Sequence, residues 1–187
     1  MRVITGTARG RRLKELEGLE TRPTTDRVKE GLFSIIQFDI EGRKVLDLFA
    51  GTGQLGIECL SRGADSAVFV ERRSDAVKLI RENLKTTDLT DRARVVPGDS
   101  LEYLRSLGEK FDLIFLDPPY GTGLLEEAIS RIAGFDILSP HGIIVAEHPV
   151  EKAPPALEKP YRLHRTYRYG KIGLTLYRRD ANEKNEE

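Results

Sequence analysis

Apolar and polar positions alternate in blocks along most of the chain. From residue 44 onward, short apolar runs predict five strands, Val45–Leu48, Ala67–Val70, Arg94–Val96, Leu113–Leu116 and Ile143–Ala146. Stretches with apolar residues at helical spacing lie between them and predict four helices, Leu55–Ser61, Asp75–Thr86, Leu101–Leu107 and Leu124–Ile132. Strands that alternate with helices are typical of βαβ units. We therefore predict an α/β fold with a Rossmann-like, mostly parallel sheet and helices on both faces.

The two ends of the chain follow other patterns. Residues 1–16 contain two strand-like pieces around Gly6 and Gly10, which predict a hairpin, and "YRLHRTYRYGKIGLTLY" predicts a second hairpin that turns at Gly170. We divide the chain into a basic β-hairpin arm (1–20), one domain (21–179) and a charged tail (180–187) that we expect to be disordered.

The segment "TRPTTDRVKEGLFSII" predicts a further helix before the first strand of the sheet. Thr24 or Thr25 can cap it, and its apolar face consists of Val28, Leu32, Phe33, Ile35 and Ile36. Gly31 costs this helix about 1 kcal/mol relative to alanine. We therefore expect a neighbouring group to pack closely on Gly31.

Composition narrows the class of protein. A chain of 187 residues with 39% apolar residues is long enough for one domain with a full core. Its net charge is zero, but residues 1–14 carry five basic residues and no acid, which indicates a local basic face. Cys59 is the single cysteine of the sequence, which excludes a disulfide within the chain and favours a cytoplasmic protein. We expect its side chain to pack in a helix rather than to act as a nucleophile. No apolar run approaches the ~18 residues of a membrane span, and the three scattered histidines lead us to expect no metal.

A glycine-rich turn follows the first strand, in "VLDLFAGTGQLGIE". Gly51, Gly53 and Gly56 fit the pattern G-x-G-x-x-G, and Glu71 follows about 20 residues later. Taken alone, this pattern fits a nicotinamide dinucleotide site or a plain structural turn equally well. Asp47, however, would repel a pyrophosphate and attract a ligand that carries an ammonium and a sulfonium.

Acidic residues stand at four consecutive predicted strand ends: Asp47, Glu71, Asp99 and Asp117. Ligands of open α/β sheets bind at this edge. The segments "RPTTDRVKEGLFSI", "DLFAGTGQLGIECLSRGA", "GDS" and "DPPY", together with "GTARGRRL", closely resemble the RsmD family of small-subunit ribosomal RNA guanine-N2 methyltransferases. The resemblance runs from about Arg2 to Tyr177 and implies a seven-stranded class I methyltransferase fold that uses S-adenosyl-L-methionine and releases S-adenosyl-L-homocysteine.

The resemblance also implies roles for individual residues. Glu71 would accept from both ribose hydroxyls, Asp99 and Ser100 would bind the adenine, and Asp47 would order the amino-acid end of the cofactor. The cofactor site that it implies comprises Asp47, Phe49, Ala50, Gly51, Thr52, Gly53, Glu71, Arg72, Asp99, Ser100 and Thr24.

Catalysis is assigned to Asp117, Pro118, Pro119 and Tyr120. An aromatic exocyclic amine is a poor nucleophile, because its lone pair is delocalised into the ring. The carboxylate of Asp117 and the carbonyl of Pro118 could accept its two hydrogens, localise the lone pair and stabilise the growing positive charge. Tyr120 would stack on the extruded base, worth ~1–3 kcal/mol.

Basic residues near both ends of the chain are the predicted substrate contacts: Arg9, Arg11, Arg12, Lys14, Arg22, Arg27 and Arg168 bind RNA phosphates, with Arg165 and Lys171 as further cations and Tyr167 and Tyr169 as stacking surfaces. The resemblance points to guanine 966 of 16S rRNA in partly assembled ribosomal particles, modified by a monomeric, cytoplasmic enzyme.

The residues alone do not distinguish guanine N2 from adenine N6 or cytosine N4, nor RNA from DNA. A DNA amino-methyltransferase, a nicotinamide oxidoreductase and a non-catalytic RNA-binding protein remain alternatives. The DNA amino-methyltransferase is disfavoured, because we expect a chain of 187 residues to be too short for a separate target-recognition domain as well.

Overall fold

A computed structural model describes residues 1–16 and 26–181 of the chain. Its helices are α1 (Asp26–Ile35), α2 (Gln54–Ser61), α3 (Ser74–Thr87), α4 (Ser100–Arg105) and α5 (Leu124–Gly134). Its strands are β1 (Lys44–Asp47), β2 (Ser66–Glu71), β3 (Ala93–Pro97), β4 (Phe111–Leu116), β5 (Leu138–Pro149), β6 (Tyr161–Tyr169) and β7 (Ile172–Arg179). These strands form one sheet in the order β3-β2-β1-β4-β5-β7-β6. The predicted fold class is confirmed.

Two hydrophobic clusters cover the two faces of the sheet. Successive strand residues point to opposite faces, so Val45 joins the cluster under α1, α2 and α3, whereas Leu46 joins the cluster under α4 and α5. Because β1 to β5 are all parallel, their carboxyl ends meet at one edge, which we call the carboxyl edge; the opposite one is the amino edge. The site is therefore expected along the carboxyl edge.

The C-terminal hairpin closes the sheet on one side, as predicted. β7 runs antiparallel to both β5 and β6, and the turn between β6 and β7 contains Gly170 at φ 61°. Ile172 pairs with Pro149 at the end of β5, so the tip of this hairpin lies at the carboxyl edge. β5 is longer than predicted and extends through Glu147 to Pro149.

The N-terminal segment turns back on itself, but it pairs through a single antiparallel bridge between Arg2 and Arg12 rather than through two full strands. The buried carboxylate of Glu58 on α2 accepts hydrogen bonds from the backbone N–H groups of Ile4 and Thr5, at 2.9 and 3.0 Å. Glu58 also forms an ion pair with the buried Lys29 of α1, at 3.2 Å. These contacts attach the segment and α1 to the same helix.

Gly31 lies against the C-terminal hairpin, as its position in α1 predicts. A β-carbon at this position would be 2.4 Å from the hydroxyl oxygen of Tyr169, so any side chain would displace that ring. Tyr169 is half-buried because its ring packs on α1 at Gly31, and this contact reduces the surface that it offers to a nucleobase.

Some of the predicted residues lie outside the described ranges. These are the caps Thr24 and Thr25, Arg22 and most of the tail.

Cys59 is buried in α2, in agreement with the predicted packing role. Burial, together with the nearby carboxylates of Asp47 and Glu58, raises the pKa of its thiol well above the ordinary value. Within residues 1–16 and 26–181, no helix is long and apolar enough to cross a membrane.

Candidate functional site

The carboxyl edge brings the four predicted acids into one row. β3, β2, β1 and β4 are neighbours in that order, and Asp99, Glu71, Asp47 and Asp117 stand at or just after their ends. In register, Asp47 is level with Phe69 of β2 and Phe115 of β4, so Glu71 and Asp117 each follow two residues later. The topology therefore brings the four acids to one edge of the sheet, and their sharing of one ligand site stays a prediction.

The glycine-rich turn joins β1 to α2 at this edge. Gly51 and Gly53 have φ angles of 57° and 80°, a region that glycine enters without steric cost. A β-carbon on Gly51 would meet no atom within 4 Å, so open space adjoins the backbone there. The Gly51 N–H donates to Oε2 of Glu71 at 2.9 Å, and the Asn83 side chain donates to the Thr52 carbonyl at 3.0 Å. The turn is thus held rigidly beside the acids.

Asp47 is the most unusual of the four acids. Its carboxylate is 2% exposed and accepts a hydrogen bond from the Gly56 N–H at 3.2 Å. Burial raises the pKa of Asp47 to about 7, the Gly56 hydrogen bond opposes this shift, and the charge of Glu71 adds to it. No lysine, arginine or histidine in the described ranges forms an ion pair with Asp47. A bound cation would therefore be strongly favoured here.

Glu71 and Asp99 lie at the ends of the neighbouring strands β2 and β3. Glu71 Oε1 accepts from the Arg73 N–H at 2.9 Å, which fixes the side chain in place. Asp99 is exposed and caps α4, with Oδ1 accepting from the N–H groups of Leu101 and Glu102 at 2.9 and 3.0 Å. Ser100 is buried and its hydroxyl donates to the Leu48 carbonyl, which connects the start of α4 to the segment that follows β1.

The other residues of the predicted cofactor site differ in their surroundings. Ala50 is buried, and its N–H donates to the Val70 carbonyl at 3.0 Å. Phe49 is half-buried against the cluster under α4 and α5, and Arg72 is exposed. Thr24 lies outside the described residues.

The Asp-Pro-Pro-Tyr segment leaves β4 at the carboxyl edge. Pro118 is buried, Pro119 is exposed, and Asp117 is partly exposed. Asp117 lines a small open pocket together with Leu32 of α1 and Leu55 of α2. The two prolines and Tyr120 line an adjoining open cleft. The segment therefore forms the wall of open space, as its proposed contact with a base requires.

Glu147 is a residue of this site that the sequence analysis did not identify. It lies in β5, is 7% exposed and lines both cavities. Its Oε1 accepts a hydrogen bond from the Tyr120 hydroxyl at 3.3 Å. The available signal was the sequence "IIVAEHP", in which an acid and a proline end an apolar run as they do in "FLDPP".

The predicted RNA contacts are divided between the two edges of the sheet. Arg168 and Lys171 lie at the tip of the C-terminal hairpin and Arg27 in the first turn of α1, all at the carboxyl edge. Arg11 lies at the amino edge, where its guanidinium donates to the Thr86 carbonyl at the end of α3 at 2.5 Å.

The other predicted RNA contacts near the N-terminus differ in their surroundings. Arg9 and Arg12 are exposed. The backbone of Lys14 is bound by the Asn83 side chain, which also donates to Thr52 of the glycine-rich turn, and its ammonium forms an ion pair with Glu82 at 2.8 Å. The Arg165 guanidinium lies over the ring of Tyr167, at 5.2 Å from its centroid. Arg22 lies outside the described residues.

Comparisons with known proteins agree with this geometry. Residues 1–178 match the family described as conserved hypothetical protein 95. Ribosomal RNA small subunit methyltransferase D of Escherichia coli (strain K12) is 36% identical over 186 residues, which cover 100% of this chain and 93% of that protein. YlbH of Bacillus subtilis (strain 168), a candidate rRNA methyltransferase, is 41% identical over 96% of this chain and 99% of its own. A solved structure of the candidate methyltransferase yhhF from Escherichia coli superposes with a TM-score of 0.85, at 38% identity, over 97% of this chain and 98% of that one.

Proposed function

Since the chain belongs to the RsmD family, we propose that it is an rRNA methyltransferase that uses S-adenosyl-L-methionine to methylate the exocyclic N2 amine of a guanine in 16S rRNA. The observation that carries the proposal is the Asp117–Tyr120 segment, which lines open space at the carboxyl edge. Asp47 lies at the same edge, and a cation would stabilise the ionised form of its buried carboxyl group. We further propose that the target is guanine 966, that partly assembled small-subunit particles present it, and that the enzyme acts as a monomer.

The acids and the glycine-rich turn fit this cofactor. Asp47 would face its ammonium group, and the burial that raises the pKa of Asp47 to about 7 means that a cation there replaces lost solvation. Each oxygen of Glu71 accepts one backbone N–H, and the further lone pair on each is available to a ribose hydroxyl. Asp99 caps α4 through Oδ1 alone, which leaves Oδ2 to accept from the adenine amine.

The catalytic step would depend on the Asp117 carboxylate and the Pro118 carbonyl. When bound, S-adenosyl-L-methionine supplies an electrophilic methyl group, so the protein has to orient and activate the amine. Two acceptors localise its lone pair and stabilise the positive charge that grows on nitrogen. Proline at two consecutive positions fixes the backbone and prevents β4 from continuing, so the carbonyl stays available to the substrate.

The experiment that tests the proposed function is a map of N2-methylguanosine in ribosomal RNA from cells with and without this protein. We expect one modified position in 16S rRNA to lose its methyl group in the deletion strain. The wild-type gene should restore it, and an Asp117→Ala gene should not. Unchanged modification in the deletion strain would refute the proposal.

Cations at the carboxyl edge are the best candidates for contacts to RNA phosphates. We expect Arg168→Gln combined with Lys171→Gln to weaken RNA binding and to reduce the slope of log K against log salt by roughly 1.4–1.8, the value for two lost phosphate contacts. The measurement is a salt titration of binding to small-subunit RNA.

A matched control is available at the amino edge, where Arg43→Gln with Lys44→Gln removes the same charge beside the start of β1. This control should leave the slope unchanged. The same titration with Arg9→Gln and Arg12→Gln decides whether the N-terminal cations contact RNA as well. Equal slopes for wild type and the Arg168 and Lys171 variant would mean that the hairpin tip does not meet phosphates.

A further inference from the structure

Two carboxylates share the substrate end of the site. Leu116 of β4 pairs with Ala146 of β5, so Asp117 and Glu147 follow neighbouring residues of adjacent parallel strands, which lie about 4.8 Å apart. Both line the same pocket beside α1 and α2. Two neighbouring carboxyl groups present several acceptor oxygens side by side, so a ligand with two adjacent hydrogen-bond donors fits this end of the site.

Glu147 faces the place where a base would stack. It lines the cleft formed by Pro118, Pro119 and Tyr120 as well as the cavity that contains Asp117. Its 3.3 Å hydrogen bond from the Tyr120 hydroxyl orients the carboxylate toward the end of the Asp-Pro-Pro-Tyr segment.

The nucleobases differ in what lies next to their exocyclic amines. Guanine has a ring N–H, at N1, beside its N2 amine. Adenine has the bare N1 lone pair beside N6, and cytosine has the bare N3 lone pair beside N4. An ionised carboxylate only accepts hydrogen bonds, so it attracts the guanine edge and repels the other two.

We propose that Glu147 selects guanine by accepting a hydrogen bond from N1–H, while Asp117 accepts from the N2 amine. This inference rests on the proposed methyl transfer and deepens it, because it assigns the choice of base to a residue. Glu147 would then be a specificity-determining contact, and Tyr120 would hold its carboxylate in place.

The test uses 2,6-diaminopurine, which keeps the 2-amine of guanine but carries a lone pair at N1. Small-subunit particles are reconstituted with 16S rRNA ligated to contain either guanine or 2,6-diaminopurine at the modified position. We expect the wild-type enzyme to prefer guanine by roughly 100-fold or more in kcat/KM, as for a lost hydrogen bond to a charged group. Glu147→Gln should reduce the guanine rate and bring the ratio near one, since an amide can donate to the N1 lone pair.

Two comparisons make the outcome decisive. Tyr120→Phe should slow the reaction but preserve the preference for guanine, because the carboxylate remains. If Glu147→Gln keeps the wild-type ratio while its unfolding midpoint and cofactor affinity are unchanged, the inference is wrong and the proposed function stands. If wild type methylates neither particle, the proposed function itself fails.

Discussion

Asp117→Ala is expected to reduce methyl transfer by about 10²–10³-fold while leaving cofactor affinity within a few-fold. The carboxylate is proposed to act on the amine as positive charge develops, and the loss of one such preorganised group typically costs 10²–10³-fold in rate. Alanine removes the acceptor and leaves Pro118 and Pro119 to hold the backbone. The cofactor acids belong to other strands, so binding of S-adenosyl-L-methionine should persist.

The measurement combines single-turnover formation of N2-methylguanosine with calorimetry of cofactor binding. Asp117→Asn is the matched control, because its amide oxygen still accepts one hydrogen of the amine, and we expect an intermediate rate. Full turnover in the alanine variant would exclude the proposed role of Asp117. A loss of both cofactor binding and turnover would show that Asp117 maintains the cofactor site instead.

Asp47→Asn is expected to have opposite effects on folding and on binding. The pKa of Asp47 is raised from 3.8 to about 7, chiefly by burial, so the fold favours its protonated form. Below the unfolded-state pKa both states are protonated and ionisation costs nothing. Between about pH 4 and pH 7 the unfolded chain releases this proton while the folded protein still holds it, so the free energy of unfolding falls by up to about 4 kcal/mol, and the loss is complete above pH 7. The asparagine variant avoids this cost and should be more stable than wild type at pH 8.

Cofactor binding should change in the other direction. An asparagine has no charge to pair with an ammonium group, so we expect the affinity for S-adenosyl-L-methionine to fall by roughly 10–100-fold at pH 8, as for a lost charge-assisted bond. In wild type, the same affinity should weaken as the pH falls below 7 and Asp47 takes up a proton.

Urea unfolding at pH 5 and pH 8, together with calorimetry, checks both effects of this substitution. Asp88→Asn is the matched control: it is exposed, lies at the end of α3 and has a φ of 58°, which asparagine tolerates. It should change neither quantity. NAD serves as the control ligand, and binding of NAD without binding of S-adenosyl-L-methionine would revive the oxidoreductase interpretation of the glycine-rich turn.

The local patterns in the sequence were sufficient for the order of the elements. Apolar runs marked β1, β2 and β4 within a few residues because residues on both faces of those strands are buried, whereas the edge strand β3 is only half-buried and was marked by its two valines. The terminal acids lie in one row because parallel strands end together. β5 was predicted too short at both ends. The predicted strand began after Pro140 and Gly142, residues that are common in turns, and stopped at Ala146, the last residue of the apolar run. The strand continues because β4 and β7 pair with it, which a local pattern does not contain.

The position of the N-terminal cations depends on contacts between residues far apart in the chain. Charge alone placed Arg11 and Arg168 in one group of predicted RNA contacts. Ser61 at the end of α2 binds the backbone of Thr5, Thr7 and Ala8, and this contact fixes residues 5–8 at the amino edge. Nothing in either segment signals the other, since more than fifty residues separate them.

The burial of Cys59 gives this protein an intrinsic reporter of large-scale opening. A shielded sulfur that resists ionisation reacts with alkylating reagents only after the surrounding layers separate. The rate of labelling, followed by mass spectrometry without any introduced dye, therefore measures how often the native protein unfolds. A ligand that binds only the folded protein would lower this rate as its occupancy rises, so the labelling of Cys59 allows candidate ligands to be ranked.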